Sequence, residues 1–283
     1  MRISSQQIFD AGINSLQKHS VDVVDYQRQI SSGQRYAKAS ENPLAAGLGV
    51  QVSLKRAVFT MFKVNQDYVN ASLTSTDTQL ASLQNMLSRF QQMTVQASND
   101  ALGPDVRKQL AFQADILIQS IDKFSRAKDA SGDPILRDLQ PANAPQVMVA
   151  PTISLQSALT YKEVMGGDLG DANSTTNILF TLNAIKSSLT SGSAPLAADL
   201  DALQRGLSVV SMAQAKVGVL QNELDAAVQS AETQELNTET NRGSLLDTNL
   251  AEATAGLARS NALLQAVQSI ISGMDTNSLF KKI

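Results

Sequence analysis

The sequence contains no cysteine and no tryptophan, and it has a single histidine, His19. Without cysteine there is no disulfide framework, no thiolate zinc site and no cysteine nucleophile. One histidine cannot supply a two-histidine metal motif such as H-E-x-x-H. An excess of one charge is also missing. The 23 Lys and Arg against 26 Asp and Glu leave a formal net charge of −3, which gives no electrostatic case for binding nucleic acid or anionic lipid. No apolar run approaches the ~18 residues a membrane span needs. The opening Met1-Arg2-Ile3-Ser4-Ser5-Gln6-Gln7 lacks the apolar stretch of a cleavable secretory signal. These absences predict a soluble, non-redox chain.

Aromatics are sparse at 4%, and charged residues make up 17% against about 25% in typical domains. The hydrophobic 43% is therefore mostly Leu, Val, Ile and Ala, set among Ser, Thr, Gln and Asn. Such a mixture suits helix-on-helix packing better than a core with a ligand pocket. Proline is confined to positions 43, 104, 134, 141, 145, 151 and 195. Because proline breaks helix interiors, the gaps between them are where long helices can run.

Periodicity fills those gaps. Val69, Leu73, Thr76, Leu80, Leu83, Leu87, Phe90, Thr94 and Ala97 follow an unbroken 4-3-4-3 spacing, one coiled-coil seam on a helix over 44–102. Leu110, Ala114, Leu117, Ile121 and Phe124 repeat it after the turn Gly103-Pro104-Asp105. Leu203, Val210, Val217, Leu224, Ala231, Thr238 and Leu245 recur every seven residues. Leu246, Leu250, Ala253, Leu257, Ser260, Leu264, Val267, Ile271 and Met274 then give a shifted seam, a stutter or a boundary between packing layers. A weaker seam opens the chain at Phe9, Ile13, Leu16, Ser20, Val23, Gln27 and Ile30. At about 1.5 Å per residue, helices of such length predict a rod. Between the helices, 146–150 and 152–155 alternate weakly and predict short strands, and 177–185 predicts a short helix.

Residues that carry chemistry do not converge. Gly47-Leu48-Gly49 has no strand before it and no Gly-Lys-Ser/Thr after it, so it reads as close helix packing rather than a phosphate loop. His19 has no nucleophile or orienting group at a catalytic spacing and reads as a packing or solvated residue. Acidic residues such as Glu223, Asp225, Glu232 and Glu235 read as a solvated helix face, and the methionines as gap fillers. No enzyme and no cofactor is predicted. The two terminal seams, by contrast, are too narrow to cover all their apolar residues. Ile3, Ile8, Leu263 and Ile270 are left outward if the termini pair, which marks a protein interface.

The residues at the two ends also carry a family resemblance. At the start these are Met1-Arg2-Ile3-Ser4, then Gln29-Ile30-Ser31-Ser32-Gly33-Gln34-Arg35, then Ser40-Glu41-Asn42-Pro43-Leu44-Ala45-Ala46. At the end they are Asp247-Thr248-Asn249-Leu250-Ala251-Glu252-Ala253 and Ser278-Leu279-Phe280-Lys281-Lys282-Ile283. Together they resemble the bacterial flagellin-type axial proteins over about residues 1–130 and 196–283. The Ser-Leu-Phe ending is similar to that of the hook-associated members, whereas flagellins tend to close on Leu-Leu. Glu41-Asn42-Pro43 departs from the family's double-acidic turn, Gly132-Asp133-Pro134-Ile135-Leu136 replaces a more aromatic segment, and the central stretch is short.

The resemblance implies an extracellular structural adaptor at the hook–filament junction of the bacterial flagellum, exported without a cleavable signal. Its implied partners are further copies of itself, in a ring, and hook-associated protein 1 on the hook side. Flagellin on the filament side and a flagellar export chaperone at the C-terminal region complete the set. No nucleic acid, membrane or cofactor is implied. A filament subunit and a free coiled-coil secreted or regulatory protein are the alternatives.

The expected fold is mainly α, with long antiparallel coiled-coil helices, paired N- and C-terminal helices and some β in a small central module. Residues 1–40 and 243–283 form the terminal pair, 41–133 and 196–242 the long-helix bundle, and 134–195 an outward-facing insertion in which 141–175 tolerates substitution. The expected assembly interface on the first helix is Ile3, Phe9, Ile13, Leu16, Val23 and Ile30. On the last it is Leu246, Leu250, Leu257, Leu264, Val267 and Ile271, with Leu279 and Phe280 beyond it.

Overall fold

The structure, a computed structural model, describes residues 2–129, 132–169 and 176–276, the side chains of 2–6, 8 and 274–276 excepted. Helix α1 is Arg2–Ser32, α2 is Pro43–Ala97 and α3 is Pro104–Ser125. Strands β1 (Gln146–Ala150) and β2 (Ile153–Gln156) follow, then α4 (Tyr161–Met165) and α5 (Ile178–Thr190). The chain closes with α6 (Ala197–Leu246) and α7 (Leu250–Thr276). The fold is mainly α, its first and last helices are paired, and its one described sheet is a two-stranded antiparallel hairpin. No helix among the described residues is long and apolar enough to cross a membrane.

Contacts divide the chain into two units: residues up to 57 together with those from 235 onward, and residues 58–234. In the second unit the α2 seam is buried at all nine expected positions, from Val69 to Ala97. Helix α2 stops at Ala97 instead of running to 102. Asn99 and Gly103 carry the turn, and one guanidinium serves the carbonyls freed there. Arg107 donates from Nε to Ala97 O and from Nη2 to Asn99 O, each at 3.1 Å, and from Nη1 to Gly192 O at 3.4 Å. Pro104 then opens α3 at a position whose N–H has no helical partner.

The α3 seam differs from the expected one. Ile118 and Ser125 are buried beside Leu110, Ala114 and Ile121, whereas Leu117 is half-buried and Phe124 is exposed. An apolar-only pattern selects Leu117 and Phe124, but the helix turns a neighbouring row toward α5. In α6, Leu203, Val210, Val217, Leu224 and Ala231 are buried as the seven-residue repeat predicts. Thr238 and Leu245, which belong to the other unit, are not. The step from Leu245 to Leu246 marks a boundary: α6 ends at Leu246 and α7 begins at Leu250.

Residues 134–195 do not form a core of their own. Val149, Leu155, Leu159, Met165, Leu182 and Ile185 join α2, α3 and α6 residues in one hydrophobic cluster. Leu155, Leu159, Val164 and Met165 are buried, so tolerance across 141–175 is limited to exposed positions. Polar groups pin the hairpin to the helices. Asn65 Nδ2 donates to Met148 O at 2.7 Å, and the buried Gln66 donates from Nε2 to Val149 O at 2.8 Å.

A second pin is the carboxylate of Glu163, in the capping box of α4 with Thr160. It accepts from Thr160 N at 2.7 Å, Thr160 Oγ1 at 2.9 Å and Lys216 Nζ at 2.5 Å. Burial pushes this carboxyl up, but the Lys216 and Thr160 hydrogen bonds outweigh it and hold Glu163 below the usual carboxylate range.

Candidate assembly interface

The terminal unit is built around the α1–α7 pair. Its register is set where α1 ends and α7 begins. Gly33, at φ +69°, terminates α1 in the left-handed conformation that glycine adopts without strain. The residues beyond it bond to the α6–α7 break. Thr248 N donates to Gly33 O at 2.9 Å, Arg35 N donates to Leu246 O at 2.8 Å, and Gln34 pairs with Asp247. Asn249 caps α7, its Oδ1 accepting from Glu252 N at 3.3 Å. Arg242 clamps the break, donating from Nη1 and Nη2 to the two Asp247 oxygens at 3.0 and 3.2 Å.

The loop from α1 to α2 is held by Glu41 and Asn42. Glu41 accepts from Ala37 N at 3.0 Å and from Arg28 Nη1 at 2.9 Å. The Ala37 bond, then the Arg28 one, lower its pKa. Asn42, not an acid, caps α2 by accepting from Ala45 N at 3.0 Å. A side-chain amide oxygen serves as well as a carboxylate at that position.

From this anchor the helices run antiparallel. Tyr26 lies against Gly256, and further along the pair Gly12 lies against Ile271. On α7, Ala253 and Ser260 are buried, while Leu257, Leu264, Val267 and Ile271 are half-buried. On α1 the half-buried row includes Gly12, Leu16, His19, Val23, Tyr26 and Ile30. His19 Nδ1 sits 3.4 Å from Asp22 Oδ2, one helical turn along α1. A groove of about 530 Å³ beside the break is lined by Tyr26, Arg35, Asp247, Asn249 and Glu252 among others. Of its charged lining, Asp247 is held by Arg242.

The expected interface residues therefore sort by face. Leu16, Val23, Ile30, Leu246, Leu257, Leu264, Val267 and Ile271 are half-buried in the terminal unit. Phe9 and Ile13 are exposed by 39% and 37%, and Leu250 by 56%, so these three lie outside the α1–α7 seam. The sequence reading missed why. Gly12, His19 and Tyr26 occupy the α1 seam, and a search that follows only apolar residues rotates that seam away from them. Leu263 and Ile270 point outward as expected, at 37% and 58% exposure. The side chain of Ile3, and Leu279 and Phe280 altogether, lie outside the described residues, as does the side chain of Ile8. What remains is a narrow helical pair with Phe9, Ile13, Val21, Val24, Leu263 and Ile270 uncovered on its flanks.

Residues 3–140 match the bacterial flagellin N-terminal helical region. Over 266 residues the chain is 23% identical to a flagellin of Listeria monocytogenes, an alignment covering 91% of this chain and 90% of that one. Over 145 residues it is 23% identical to flagellar hook-associated protein 3 of Escherichia coli, covering 51% of this chain and 46% of the other. Among solved structures, a protein from Vibrio parahaemolyticus described as a flagellar hook-associated protein superposes with a TM-score of 0.62 at 18% identity. That superposition covers 73% of this chain and 100% of the other, and the two share a fold.

Proposed function

From the premise that this chain fits the flagellin superfamily, we propose that it is a structural adaptor of the bacterial flagellum, seated between hook and filament. The observation that carries the reading is the terminal pair. It brings together the two family-like ends of the chain and leaves apolar residues of both helices uncovered. Copies pack side by side through those terminal helices. Head-to-tail contacts of this kind close into a ring or propagate as a helical tube. A junction ring offers one surface toward hook-associated protein 1 and another toward flagellin, and the C-terminal region is where an export chaperone engages it. The role is mechanical, and no catalytic step is part of it.

A filament subunit is the second reading, favoured by the near full-length alignment with the Listeria flagellin. The Ser278-Leu279-Phe280 motif favours the junction. Immunogold labelling of isolated flagella separates the two. The adaptor gives one labelled band at the hook's distal end, whereas labelling along the whole filament identifies the filament subunit.

A further inference from the structure

We draw no further inference here: the strongest candidate, the pair of exposed apolar faces on α3 (Phe112, Ile116) and α6 (Met212, Val219), carries nothing because nothing in the structure shows what covers it.

Discussion

Gly256 of α7 lies directly beneath the ring of Tyr26 on α1, so close that a Cβ at position 256 would sit 2.5 Å from Tyr26 Cζ. No L side chain fits there without moving the ring or separating the helices. This pair fixes how near the two ends of the chain approach each other.

Gly256→Ala is therefore expected to loosen the terminal pair, although alanine is intrinsically the better helix former by about 1 kcal/mol. Gly47 is the internal control, since nothing lies within 4 Å of a Cβ there. Gly47→Ala should stabilise by up to about 1 kcal/mol. Thermal melts followed by circular dichroism check the opposite signs. Combining Gly256→Ala with Tyr26→Ala should recover part of the loss.

Core and surface phenylalanines should behave oppositely. Phe90 is fully buried, and Phe90→Ala is expected to cost about 3–5 kcal/mol. Phe112, mostly exposed, should change stability by no more than about 0.5 kcal/mol on mutation to alanine. Urea unfolding of the two variants measures both values.

Glu163 gives the fold an acid-sensitive point. Its folded pKa lies below the unfolded value of about 4.3. Its contribution is therefore present above that value and fades as pH falls through the folded pKa. Lys216 is 42% exposed, so solvent screens part of the attraction. Glu163→Gln is expected to cost about 1–2 kcal/mol at pH 7, and the gap from the native chain should narrow at pH 3. Urea midpoints at both pH values test this.

Leu257 and Leu264 face the α1–α7 seam, and Leu257→Asp or Leu264→Asp would place a charge there with no partner. Either variant is expected to be made at normal levels but absent from isolated flagella, as read by immunoblot. Normal incorporation of both would remove the terminal seam from the account.

Much of this was legible in the sequence wherever one spacing governed one face. From Val69 to Ala97 the apolar period matches the buried face at every position, because the helix has a single dominant neighbour side. The proline positions likewise located the hairpin and the start of α3. Where small or polar residues make the contact, the pattern misled. Gly12 and Tyr26 matter only once α7 is aligned opposite α1, and Phe9, Ile13 and Leu250 look like seam residues although they face outward. The shared core of 134–195 was hidden for a related reason. Its short elements carry too few residues each to show which distant helix they cover.

The most direct test of the adaptor role is deletion of the gene, with electron microscopy of the cells and an assay of flagellin in the medium. The account predicts bare hooks and shed flagellin, since filament subunits are exported with nowhere to dock. Bare hooks with no flagellin in the medium would instead identify this chain as the filament protein, and intact filaments would contradict the role altogether.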